Sequence, residues 1–286
     1  MAKRFLGKEV NEQLNRRIQQ RVQELKDRGV VPTLAIVRCG ERPDDLSYER
    51  GAVKRAEALG VAVLKVLLPG DVSRETLEAA IRRLNADRGV HGVLMLRPLP
   101  AHLHPFEDQI CNGLDPAKDV DGMTDRSNAG VFMGKDLGFP PCTPAACMEM
   151  LDHYGVDCTG KTAVVIGRSL VVGKPAAMML LKKNATVTVC HTRTKDLASL
   201  ARQADILISA AGVLGSLTEE FVRPGQIVID VSINWDEEKG GIAGDAVFDR
   251  VEPIVEAITP VPGGVGAVTT SVLMDHVVTA AQRSLR

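Results

Sequence analysis

The run Gly160-Lys-Thr-Ala-Val-Val-Ile-Gly-Arg-Ser-Leu-Val-Val-Gly-Lys-Pro175 constrains the fold more than any other stretch of this chain. Thr162 to Gly167 reads as a strand, the glycines as a turn, and Gly173-Lys-Pro175 as the start of a helix. A strand, tight turn and helix in succession aim backbone N–H groups and a positive helix end at one point, which suits a pyrophosphate. The spacing from Gly167 to Gly173 departs from G-x-G-x-x-G, and glycine between strand and helix also serves close packing alone.

The rest of the chain alternates in the same way. Val10, Leu14, Ile18, Val22 and Leu25 recur every three or four residues and predict a helix that Gly29 ends. A strand over Thr33 to Arg38, a loop from Gly40 to Asp45, a helix from Leu46 to Leu59 and a strand over Val61 to Leu68 follow. A helix over Arg74 to Asp87 and a strand beginning at Gly92 complete this half. The stretch 101–141 has little periodicity and reads as a long connection of the kind that carries sites. Beyond it come a helix over Thr143 to Tyr154, strands over Thr162 to Gly167, Ala185 to His191, Asp205 to Ala211 and Gln226 to Asn234, and a last helix over Ala267 to Leu285. Alternation of this kind predicts a two-domain α/β protein with mostly parallel sheets. The expected domains are 1–141, an αβ domain, and 142–266, a doubly wound domain of Rossmann type. The helix 267–286 is expected to pack back on the first.

Composition narrows the function. The chain has 286 residues, a formal net charge of −1, and only 3% aromatic residues, so it lacks the basic surface and stacking platforms of a nucleic-acid binder. The N-terminus has no signal-peptide core, and no run approaches membrane-spanning length, so a cytoplasmic protein without a membrane partner is expected. Six scattered cysteines and six histidines form no metal-ligand spacing, so reduced thiols and no metal are expected.

The second strand of the doubly wound domain ends Val189-Cys-His-Thr-Arg-Thr-Lys195 without the carboxylate that holds a ribose 2′-hydroxyl in NAD sites. Arg168, Thr192 and Arg193 suit a 2′-phosphate instead, which favours NADP. Arg193 and Lys195 also read as a solvated helix entrance.

Four further segments carry a resemblance: Pro116-Ala-Lys-Asp-Val-Asp-Gly122, Pro141-Cys-Thr-Pro144, Val228-Ile-Asp-Val-Ser-Ile-Asn234 and Thr259-Pro-Val-Pro-Gly-Gly-Val-Gly266. With Gly167-Arg-Ser-x-x-Val-Gly173 they resemble, over nearly the whole chain, the bifunctional methylenetetrahydrofolate dehydrogenase/methenyltetrahydrofolate cyclohydrolase family. The resemblance implies a homodimer whose subunits each have a folate-binding domain and a Rossmann NADP domain, with the active site in the cleft between them. It implies that Tyr48 stacks on the folate and that Asp121 holds the pterin, both as catalytic and substrate-binding residues. A carboxylate suits that role because it accepts two parallel N–H donors at once. It further implies that Pro262, Gly263 and Gly264 line the folate pocket, and that Gly167, Arg168, Ser169, Thr192 and Ile233 contact the cofactor. Asp121 also reads as a loop-capping residue, and the glycine run as a turn before the last helix.

The sequence departs from the family where proton transfer is concerned. The family's lysine four residues after the tyrosine is Ala52 here, and the glutamine that partners it is Leu96. Lys54 is about 240° around a helix from Tyr48, whereas the family lysine is about 40° away. Arg97, adjacent to Leu96 on a strand, is expected to point to the opposite face. Smaller departures are Asp45 for a serine, Ser232 for a glycine and Ala267 for a proline. Hydride transfer from the folate methylene carbon requires mainly alignment, because no proton leaves that carbon. Hydrolysis of the methenyl product requires proton shuttling, for which a positioned group supplies roughly 10²- to 10⁴-fold. The expectation is therefore a dehydrogenase with weak or absent cyclohydrolase activity. The alternatives are a fully bifunctional enzyme, a folate- or NADP-binding protein without catalysis, and a different Rossmann dehydrogenase, which leaves the KDVDG and PVPGGVG runs unexplained.

Overall fold

The computed structural model describes residues 2–285. Its elements are β1 (Lys3–Arg4), α1 (Gly7–Asp27), β2 (Thr33–Cys39), α2 (Pro43–Leu59), β3 (Ala62–Leu68), α3 (Arg74–Ala86), β4 (Gly92–Met95), α4 (Glu107–Asn112), α5 (Asp125–Met133) and α6 (Cys142–His153). They continue with β5 (Thr162–Ile166), α7 (Gly173–Lys182), β6 (Thr186–Cys190), α8 (Leu197–Arg202), β7 (Ile206–Ser209), β8 (Ile227–Asp230), β9 (Asn234–Asp236), β10 (Gly241–Ala243), α9 (Phe248–Val251), β11 (Ala257–Ile258) and α10 (Thr269–Arg283). They form two compact units, one of Gln13–Cys142 with the segment from Thr270 onward, the other of Thr143–Thr269 with the segment up to Glu12.

The first unit is built on a parallel sheet ordered β3-β2-β4. Its central strand β2 carries the continuous apolar run Leu34-Ala-Ile-Val37, which is fully buried, as a parallel strand covered on both faces requires. Leu77, Ile81 and Leu84 of α3 pack on Ala35, Val37, Val93 and Met95. The C-terminal helix α10 is tied to α1 by Arg21, whose guanidinium meets Asp275 at 2.7 Å and donates to Thr279 and Gln282. Helix α2 begins at Pro43, earlier than the sequence periodicity suggests. Proline suits the first turn of a helix, and Asp44 and Asp45 complement its positive end.

The stretch 101–141, expected to be irregular, contains a 3₁₀ turn over Ala101–Phe106 and the helices α4 and α5. Polar capping rather than an apolar stripe shapes this region. The Thr124 hydroxyl accepts from Ser127 N, and the buried Asp119 carboxylate accepts from Met123 N, Thr124 N and the Ser127 hydroxyl.

The second unit holds an all-parallel sheet ordered β1-β11-β8-β7-β5-β6. The chain runs from β5 outward to β6, then crosses back to β7 on the other side of β5. That reversal creates the crevice beyond the strand ends where open α/β sheets bind ligands. The expected strand Gln226 to Asn234 ends at Asp230, and Asn234–Asp236 pairs instead with β10 in a short antiparallel hairpin. The domain range 1–141 needs correction at its start, because β1 pairs with β11 and Gly7 N donates to Gly263 O. The first twelve residues thus belong to the second unit. No described helix is long and apolar enough to cross a membrane.

Candidate functional site

At the β5/β7 switch of the second unit lies a cavity of about 370 Å³, lined by Gly167, Arg168, Ser169, His191, Thr192 and Ser209 among others. A Cβ on Gly173 would overlap the Gly167 carbonyl, so the start of α7 packs directly on the glycine turn. The Ser169 hydroxyl accepts from Val172 N and Gly173 N, which fixes the turn at the helix start. Arg168 and Thr192 line the cavity and are exposed, and Arg193, next in the chain after Thr192, is exposed as well. Neither arginine is ion-paired among the described residues. Unpaired guanidinium groups beside a glycine turn and a ten-residue helix start fit a phosphorylated dinucleotide.

Ile233, also expected to contact the cofactor, lines a second cavity of about 270 Å³ with Pro262, Gly263 and Gly264. Behind both cavities sit two buried carboxylates that the sequence reading assigned no role, Asp230 and Asp245. Burial, together with the charge of Asp245, pushes Asp230 up to about 6 against the backbone bond it accepts from Ala246.

Tyr48 and Asp121 come together in the first unit. Tyr48 is 38% exposed, but its hydroxyl is desolvated, and burial followed by the charges of Asp121 and Cys142 raises its pKa. Burial pushes Asp121 up to about 6; Arg97 opposes that shift, Asp119 adds to it, and a hydrogen bond with Cys142 lowers it. The Cys142 thiol also reaches Val120 O, which His276 Nδ1 contacts at 2.8 Å. The charge of Arg97 therefore reaches Asp121. β4 ends at Met95, so strand alternation does not extend to residue 97.

The two family positions for proton transfer are apolar and closed, with Ala52 at 0% and Leu96 at 7% exposure. Lys54 is exposed. Next to Tyr48, the buried Glu49 carboxylate is held between Arg38 Nε at 2.8 Å and Lys65 Nζ at 2.8 Å. Burial raises the Glu49 pKa, but the hydrogen bonds from Lys65 and Arg38 outweigh it and leave it lowered. A charged residue amid the apolar pattern of α2 was the sequence signal for this triad. All six cysteines are free and buried, and no group of three or more potential metal ligands occurs among the described residues.

The model for the catalytic domain of tetrahydrofolate dehydrogenase/cyclohydrolase matches residues 5–121, and that for its NAD(P)-binding domain matches 141–285. A protein of Carboxydothermus hydrogenoformans named bifunctional protein FolD is 50% identical over 283 residues, covering 99% of this chain and 98% of that protein. A crystal structure of the bifunctional FolD dehydrogenase/cyclohydrolase from Campylobacter jejuni superposes with a TM-score of 0.94 at 38% identity, covering 99% of each chain. The Trypanosoma brucei dehydrogenase-cyclohydrolase, complexed with NADP and an inhibitor, gives 0.91 at 35% identity, covering 100% of this chain and 99% of that one. With both of its domains matched and half of its residues shared with a relative of equal extent, this chain belongs to the tetrahydrofolate dehydrogenase/cyclohydrolase family.

Proposed function

We propose that this chain oxidises 5,10-methylenetetrahydrofolate to 5,10-methenyltetrahydrofolate with hydride transfer to NADP, and also hydrolyses the methenyl product. The observation that carries the oxidation is the switch-point crevice, with its glycine turn and an Arg168 that has no ion pair among the described residues, in a chain that also sets Tyr48 beside Asp121. The relatives named bifunctional favour the second activity, over the dehydrogenase-only expectation from Ala52 and Leu96.

NADP, when bound, supplies the hydride acceptor. Gly167 and the start of α7 hold its pyrophosphate, and Arg168, Thr192 and Arg193 surround its 2′-phosphate. In the first unit the Asp121 carboxylate accepts two pterin N–H donors, and the Tyr48 ring covers a face of the folate. Pro262, Gly263 and Gly264 provide folate-lining backbone. Ala52 and Leu96 cannot exchange a proton during hydrolysis, so another group carries that step. The resemblance extends the proposal to a homodimer, which sedimentation of the purified chain checks.

The closed, apolar Ala52 and Leu96 positions favour a second reading, a dehydrogenase without hydrolysis. A time course with methylenetetrahydrofolate and NADP, resolving reduced cofactor, methenyl and 10-formyl products, separates the two. Enzyme-dependent formyl product supports the bifunctional reading. Methenyl product accumulating without it supports the second. Absence of cofactor reduction overturns both.

A further inference from the structure

We infer that Asp245 is a positioning residue for the nicotinamide end of the dinucleotide, its buried carboxylate setting the backbone of the two loops that follow β7 and β8. The inference rests on the dinucleotide role proposed for the second unit.

Asp245 is 0% exposed and has no ion pair among the described residues, yet five donors converge on it. Oδ2 accepts from the Ser209 hydroxyl at 2.8 Å, Ala211 N at 2.9 Å and the Ser232 hydroxyl at 2.8 Å. Oδ1 accepts from Val213 N at 2.9 Å and Asn234 Nδ2 at 3.3 Å. Gly212 N donates to the Ser232 oxygen at 3.1 Å. Three successive N–H groups, 211 to 213, are therefore turned towards this carboxylate and its serine. None of them remains for a phosphate, so anion binding concentrates at the start of α7.

In a trans peptide the preceding carbonyl points opposite to the N–H, so the carbonyls of residues 210 to 212 face away from Asp245. The Ala210 carbonyl indeed lies against Gly167, where a Cβ would collide with it. This wall of the crevice offers acceptors, the complement of a carboxamide N–H₂. The location agrees, because the adenosine end belongs to the second strand, β6, and the other end extends over β7 and β8. On the second loop, Asp230 Oδ1 accepts from Ser232 N, and Oδ2 accepts from Ala246 N beside Gly244, which has no room for a side chain. Asp230 and Asp245 together fix Ser232, the residue before Ile233 in the neighbouring cavity.

Asp245→Asn keeps the size but replaces one acceptor oxygen with an N–H₂ that opposes existing donors. Titration with NADP and with 2′,5′-ADP, which contains only the adenosine half, reads the consequence without requiring turnover. The expected result is an NADP Kd raised about tenfold, the loss of a hydrogen bond to a charged group, with the 2′,5′-ADP Kd within about twofold of wild type. Unchanged binding of both probes, or an equal loss of both, overturns the inference. If Asp245→Asn does not fold, Ser232→Ala decides: a rise of about threefold for NADP alone supports the role, and no change overturns it. Wild-type protein that binds neither probe overturns the dinucleotide reading itself, a distinct outcome.

Discussion

The two units would meet their proposed ligands with different materials. The first offers side chains, the Tyr48 ring and the Asp121 carboxylate, with the buried Arg38–Glu49 pair and the half-exposed Lys65 beside them. The second offers mainly backbone, a glycine turn at the start of α7 and loops whose N–H groups are drawn back onto Asp245. A substitution in a side-chain site deletes a functional group outright, as Ala52 and Leu96 illustrate. In a backbone site the decisive residues need never touch the ligand, and their loss shows as displaced loops.

The largest effect expected is on the support of the first unit. Glu49→Gln leaves the buried Arg38 without its counter-charge and should cost about 3–5 kcal/mol in denaturant unfolding. A loss below about 1 kcal/mol would show that this triad behaves like a surface ion pair.

The pH dependence of folate affinity comes next. Asp121 is held at about 6, so its carboxyl gains a proton as pH falls through that value and can no longer accept two N–H donors. Tetrahydrofolate affinity should then fall roughly tenfold per pH unit below the transition, each pKa unit being a factor of ten. The slope should vanish in Asp121→Asn, and a slope that persists would assign the titration elsewhere.

Tyr48→Ala should raise the folate KM by about tenfold, the upper range of a ring-stacking contact, and Tyr48→Phe should change it little. A large effect of Tyr48→Phe would move the role from the ring to the hydroxyl. The smallest change belongs to the exposed Arg168. Arg168→Ala should narrow the preference for NADP over NAD by about two- to fivefold, as expected for a solvated charge pair.

Much of the fold was readable because burial imposes simple patterns. Leu34 to Val37 form a continuous apolar run because β2 is covered on both faces, and Leu14, Ile18, Val22 and Leu25 mark the single buried face of α1. Two-residue strands carry no such pattern. β1 forms by finding β11 across the whole chain, and β11 by lying between β1 and β8. α5 escaped notice because Thr124 and Asp119 define it through hydrogen bonds rather than through periodicity.

The candidate site was legible at Tyr48 and Asp121 only through the family resemblance, and the structure brings those two within electrostatic reach of each other. It was not readable at Asp245, whose donors at 209, 211, 213, 232 and 234 converge only after three loops meet.

The division between a side-chain site and a backbone site meets its most direct test in calorimetric titration of Asp121→Asn with tetrahydrofolate and, separately, with NADP. Loss of a charge-assisted two-point contact predicts tetrahydrofolate affinity down by about 100-fold, with NADP affinity within about twofold of wild type. Unchanged tetrahydrofolate affinity, or an equal fall for both ligands, would contradict it.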